Sequence, residues 1–221
     1  MRPFAAIPCA VGLLASPAVA QVPAKVEALG AALSTCMNPD VSATPRVSAC
    51  NVIFRVTTGS ASRATILWYR ADAKLAAGDY SGAITDADQA NALLPDNVDV
   101  LNAQCWSRAV ANRDLDKARA TCNRSLQKEK SAAALDSRGL VGLRQGRWRD
   151  AWEDYSAALS ANPAMTVAQY GRGLAALALG RTEDGEKDIR EAAQAAEPFR
   201  RMGLTPEVMK RKAKASQTPG P

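Results

Sequence analysis

Residues 78–97 read GDYSGAITDADQANALLPDN. The run opens on a glycine and closes on a proline, and between them alanines and acids recur at helical spacing without a side chain suited to catalysis. Similar wording returns at Gly146, 68 residues on, and at Gly180, 34 further. Small residues keep the same step: Ala83, Ala118, Ala151 and Gly185 lie 35, 33 and 34 apart. Pro95 and Pro163 differ by 68, and Pro198 follows after 35. A period near 34 with a small residue inside each unit and a proline at its end is that of a stacked helix–turn–helix. One such unit cannot bury its apolar face alone, so neighbours must stack. The expected fold is all-α, an α-α superhelical solenoid of antiparallel helix hairpins.

Composition agrees. The chain has 221 residues, 47% apolar but only 5% aromatic, and alanine-rich interiors suit closely packed helices. VIFRVTT, residues 52–58, is the one strand-like run. The pattern predicts helices near 62–77, 80–93, 98–111, 114–127, 131–145, 148–161, 165–179 and 182–195. Upstream, 23–36 and 45–58 read as a further hairpin, making 21–61 an N-terminal cap on the repeats. Thr205-Pro206-Glu207 reads as an N-cap followed by proline at the first helical position. Residues 199–221 should thus hold a short helix and a basic tail with a loose end at Ser216–Pro221.

The third unit carries Leu135, Gly139, Gly146, Ala151, Tyr155, Ala158 and Pro163 in signature order. It resembles the tetratricopeptide repeat family, in an exported bacterial form, and the resemblance spans about residues 62–198 as four units. There are departures. The family's early tryptophan is missing, and Arg70, Arg138 and Arg172 stand where the family has leucine before its first glycine. The family's next tyrosine is Lys74, Arg108, Gly142 and Ala176. The second unit lacks both turn glycine and proline and has one extra residue near Asn112-Arg113-Asp114, where Asp114 is expected to cap the following helix.

In an antiparallel hairpin, residues equidistant from the turn lie at one level. Arg70 with Asp86, Arg138 with Asp154, and Arg172 with Asp188 are centred on Gly78, Gly146 and Gly180. These pairs read as staples within each unit, in preference to a ladder binding an anion. In the second unit the slots hold Gln104 and Thr121, so both charges are gone together. Beside them stand Cys105 and Cys122, centred on the turn; Cys36 and Cys50 are centred on Ala43 in the same way. Of three connectivities, 36–50 with 105–122 is favoured. Zinc is disfavoured, since the short C-x-x-C pairs of zinc sites are missing.

The first twenty residues, MRPFAAIPCAVGLLASPAVA, have one positive charge, an apolar stretch and Ala18-Val19-Ala20. That is the grammar of a secretory signal peptide cleaved before Gln21, which implies a periplasmic or secreted protein in a disulfide-permissive compartment. The formal charge of +6 loses Arg2 with that segment, and residues 199–221 hold six Lys or Arg against Glu207 alone. Residues 21–198 are therefore neutral by count, and the basic character belongs to the tail.

There is no histidine, which removes the commonest general base and the Ser-His and Cys-His arrangements. GxGxxG, GxxxxGK[ST] and HExxH are missing as well. No enzyme activity, cofactor or metal is expected. What remains is a surface. By resemblance to the family, the groove-facing positions map to Trp68 and Asp72, Asn102 and Trp106, Asp136 and Leu140, and Tyr170 and Leu174. Rings beside amide and carboxylate groups suit an extended peptide, although Trp68 and Trp106 equally suit packing on a neighbouring unit. The expected protein is an adaptor that holds a protein or peptide in its concave groove. The alternative is a structural subunit of a cell-envelope complex using its convex face or its basic tail. The tail reads as a solvated end that also suits weak contact with an anionic membrane surface. Nucleic acid is not expected, because export removes it and no aromatics interleave the charges.

Overall fold

The structure, a computed structural model, describes residues 24–217; the signal peptide expected over residues 1–20 and the end of the tail lie outside them. Ten helices pair as five antiparallel hairpins. They are α1 (Ala24–Met37) with α2 (Ala43–Val56), α3 (Ser60–Ala77) with α4 (Tyr80–Leu93), α5 (Val98–Ala111) with α6 (Leu115–Lys128), α7 (Ala132–Gln145) with α8 (Trp148–Ala161), and α9 (Thr166–Ala178) with α10 (Thr182–Glu191). A 3-10 turn (Ala193–Ala195), α11 (Ala196–Arg201) and α12 (Pro206–Gln217) follow. No strand occurs among the described residues; VIFRVTT instead closes α2, its last two threonines forming the exit.

Local chemistry sets the hairpins. Gly78, Gly146 and Gly180 adopt φ of 81°, 74° and 77°, a left-handed conformation that ends a helix at little cost only in glycine. The second unit reaches the same bend with Asn112 at φ 54°, and Asp114 is left-handed too at 47°. Asp114 makes no side-chain cap, contrary to expectation. Its backbone is already committed to the turn, and its carboxylate lies toward Arg108, 4.0 Å away. Elsewhere Asp79, Asn97 and Ser131 do cap α4, α5 and α7 by accepting backbone N–H bonds.

Each hairpin packs on the next, and the first helices α1, α3, α5, α7 and α9 also pack on one another in series. The second helices make no comparable contact among themselves. A layer that touches along its length beside one that splays must curve, so the first helices line the concave side. Small residues allow the close approach. A Cβ on Gly142 would stand 3.0 Å from that of Ala151, and one on Gly173 2.9 Å from the Gly185 carbonyl. Tyr155 is wholly buried with its ring against both Gly139 and Gly171.

The chain departs from expectation after Glu191. The expected helix over 182–195 stops there, and Pro198 does not close the unit but sits in the first turn of α11. A proline needs no N–H partner in a first turn, so the residue read as a terminator is tolerated. Gly203 then reverses the chain at φ 70°, Thr205 caps and Pro206 starts α12. The tail read as solvated is instead anchored: Phe199, Leu204, Met209 and Ala213 are buried. Only its basic side is exposed.

Candidate functional site

The three Arg–Asp pairs form forked contacts. Arg70 donates through Nε and Nη2 to both oxygens of Asp86, each at 2.7 Å; Arg138 does so to Asp154 at 2.9 and 2.6 Å; Arg172 does so to Asp188 at 2.7 Å twice. Third arms of Arg70 and Arg138 donate to Asn51 and Asn123 on the preceding outer helices, joining unit to unit. Lys74 adds a second cation on Asp86, 2.8 Å away. The bond to Asp154 raises the Arg138 pKa, and the bond to Asp188 that of Arg172. With their forks filled by carboxylate, these arginines serve as staples.

The cysteines pair as 36–50 and 105–122, with Cα separations of 4.8 and 5.4 Å and all four side chains fully buried. In the second unit Gln104, in the arginine slot, donates to Asp88 at 2.7 Å, while Thr121 meets Gln104 at 3.5 Å. The disulfide stands one position from where the staple is missing.

The eight groove positions separate into two groups along the array. Trp68 is 36% exposed and stacks on Tyr69 with ring centres 5.0 Å apart. Asp72 is half exposed and accepts from Arg46 at 2.7 Å. Asn102 and Trp106 are partly buried, Trp106 lying against Ala71, Leu75 and their neighbours. Asp136 and Tyr170, in contrast, are buried, as are Leu140 and Leu174. The reason for Tyr170 is the chain's own end: its ring lies 5.1 Å from that of Phe199. The 3-10 turn and α12 pack on α9, the inner helix of the last hairpin. The concave side is thus open over α3 and α5 and closed over α9. Sequence reading missed this occupant. Its signal was Phe199, Leu204, Met209 and Ala213, spaced to fall on one side of a short helix pair and masked by the charges between them.

Asp136 is a carboxyl buried among apolar neighbours. Burial raises its carboxyl to about 7, and its Oδ1 has no hydrogen-bond partner. Asn102 Oδ1, one unit earlier at the matching position, is also buried without a donor. A cavity of about 560 Å3 opens at the border of the closed region, between Leu75, Tyr80, Trp106 and Val110 on one side and Pro198 and Met202 on the other. A larger hollow of about 650 Å3 lies away from these residues, between α6, α7 and α8, and is walled largely by Arg138, Asp154 and the side chains around that staple.

Among the described residues no helix is long and apolar enough to cross a membrane. No curated protein matches the chain in sequence. The tetratricopeptide repeat family's sequence model matches residues 137–207. Solved structures match over most of the chain. TTC0263, a thermophilic TPR protein of Thermus thermophilus, is 13% identical and covers 84% of this chain and 94% of its own, with a TM-score of 0.60. MamA of AMB-1 is 15% identical over 80% of this chain and 99% of its own, at 0.55. The RS-1 ArsTM double mutant of MamA is 13% identical over 78% and 95%, also at 0.55. At these identities the likeness is one of fold. Residues 137–207 thus match the tetratricopeptide repeat family in sequence, and the array of hairpins has the fold of the solved tetratricopeptide repeat structures.

Proposed function

We propose that the protein is a non-catalytic periplasmic adaptor that binds a protein or peptide partner on the open part of its concave face. The observation that carries this reading is the division of that face: α3 and α5 carry Trp68, Asp72, Asn102 and Trp106, of which Asp72 and Trp106 line an open cavity, whereas α9 is covered by the chain's own end. Asp136 and Tyr170, mapped to the groove by resemblance, are buried and contribute to its support. Two fully buried disulfides are compatible with an oxidising compartment and support export.

The test falls on Trp68, because Trp106 also packs on core alanines. Crosslinking in the periplasm followed by purification should recover a partner with the wild type and lose it with Trp68→Ala, while Tm changes by less than about 2 °C, as for a surface substitution. Undiminished recovery of the partner overturns the reading.

One observation favours the structural-subunit alternative. Val26, Leu33, Met37, Val52 and Val56 are all exposed on α1 and α2, although a solenoid end facing water normally presents a polar surface. In that case Val26→Ser with Leu33→Ser would release the protein from a large complex that Trp68→Ala leaves intact.

A further inference from the structure

Five of the shielded arginines have a carboxylate each: Arg46 with Asp72, Arg70 with Asp86, Arg108 with Asp88, Arg138 with Asp154, and Arg172 with Asp188. Two of the part-buried arginines have none: Arg63, which donates to the Phe54 and Thr57 carbonyls and lies over the Phe54 ring, and Arg144, next to last in α7. The Arg144 guanidinium donates to three main-chain carbonyls: Nε to Ala109 at 3.2 Å, Nη2 to Val110 at 3.1 Å, and Nη1 to Met202 at 2.8 Å. Among the described residues no carboxylate lies within 4.0 Å of it. Burial pushes its pKa below the usual arginine value, a sign of a charge shielded from water without an ionic partner.

The geometry around this charge is that of a receptor. A guanidinium has five N–H groups, and three are engaged, which leaves two without an acceptor among the described residues. The side chain is partly exposed. Val110 and Met202, whose carbonyls it holds, are also walls of the 560 Å3 cavity, opposite Leu75, Tyr80 and Trp106. The other charges on that rim are taken: Asp72 by Arg46 and Arg201 by Glu197. An apolar hollow thus adjoins one cation lacking a counter-ion, and charge complementarity selects the occupant.

We propose that Arg144 anchors an acidic side chain of the partner, a Glu or Asp whose apolar neighbour in sequence enters the cavity between Trp106 and Met202. The carboxylate accepts the two remaining N–H groups, so Met202 keeps its own bond and the C-terminal segment stays in place. Bonds from a guanidinium to a carboxylate are roughly twice as strong as neutral ones, and the cavity lowers the screening of the pair. The proposal rests on the groove reading above and adds the chemistry of the ligand.

The probes are capped nonapeptides, acetylated and amidated so that no terminal carboxylate is present, each with one Phe or Leu and one Glu at a spacing of zero to four residues. Each is paired with its Glu→Gln counterpart, and binding to the mature protein is measured by calorimetry. At least one Glu peptide should bind about tenfold or more tightly than its Gln partner, with the advantage shrinking as salt rises. Arg144→Gln should reduce the preference to within about twofold. Since that change also removes ties between α5, α7 and the C-terminal segment, a second variant protects the test: Val110→Glu offers the guanidinium a carboxylate of its own and should cancel the preference likewise. Equal binding of Glu and Gln peptides, lost in Trp68→Ala, overturns the role of Arg144 and leaves the groove reading standing. A Glu preference that survives both Arg144→Gln and Val110→Glu overturns it too. No binding by any peptide at millimolar concentration counts against both readings.

Discussion

Asp136 is where a single residue shapes the behaviour of the fold. Its carboxyl is held at about 7 by burial, against 3.8 for the free group. A folded state with the higher pKa binds the proton more tightly, so stability from this group is greatest below about pH 4, declines as pH rises from 3.8 to 7, and is flat above. Asp136→Asn removes the ionisation. It should stabilise the protein by on the order of 2–4 kcal/mol at pH 8, at about 1.4 kcal/mol per pH unit, and by little near pH 4. Urea melts of both proteins across pH 4–8 check this; a gain independent of pH would show that the charge is not responsible. Above about pH 5 the window is free of carboxyls held low, such as Asp150 by its bond from Arg147 and Glu186 by its bond from Lys210, whose contribution is lost only as pH falls through the ordinary carboxylate range. At this scale the sequence was informative where one hairpin sets the geometry. Arg138 and Asp154 could be paired from their distance to Gly146, and they meet in a fork. Tyr170 could not be judged the same way, since the ring covering it, Phe199, comes from 29 residues further on.

The helices themselves were legible to within a residue or two over α3 to α9, because apolar period and turn chemistry agree there. Legibility failed at the end of α10 and at α11, where Pro198 has one meaning at a helix end and another in a first turn, and returned at α12, whose cap Thr205 and first residue Pro206 were readable. The α5–α6 hairpin shows how one element can trade one fastening for another. It lacks the glycine bend and the Arg–Asp fork, and α5 and α6 are joined covalently through Cys105 and Cys122, 17 residues apart. Closing a loop of that size contributes about 3 kcal/mol. Cys105→Ala with Cys122→Ala should therefore lower stability by roughly 3 kcal/mol, most of it seen in hydrogen exchange of α5 and α6. If the fork and the disulfide are interchangeable, adding Gln104→Arg and Thr121→Asp to that variant should recover about 1–2 kcal/mol, since Gln104 and Thr121 already face each other at 3.5 Å. Failure to recover anything would mean that the extra residue in this turn has shifted the slots out of register.

For the whole molecule the deciding feature is that the C-terminal segment belongs to the core and to the surface at once. Leu204, Met209 and Ala213 are buried with the last hairpins, while Lys210 reaches Glu186 at 2.6 Å and Lys212 lies 5.3 Å from the Trp148 ring. Arg211 and Lys214 remain exposed on the outer side of α12. Deleting the tail would therefore confuse two effects, lost packing and lost charge. Truncation after Gly203 removes two large buried side chains, Leu204 and Met209, worth about 1.5–3 kcal/mol each, and at about 2–4 °C per kcal/mol Tm should fall by roughly 6–24 °C. Arg211→Gln with Lys214→Gln removes charge alone and should leave Tm within about 2 °C. If the basic side touches an anionic membrane surface, this second variant should bind vesicles containing phosphatidylglycerol more weakly by about 1 kcal/mol per residue removed, an advantage the wild type loses as salt rises. Equal vesicle binding by both proteins at low salt would assign α12 to the closure of the solenoid alone. The truncated protein cannot decide the matter, because its exposed α9 face would itself bind lipid through apolar contact.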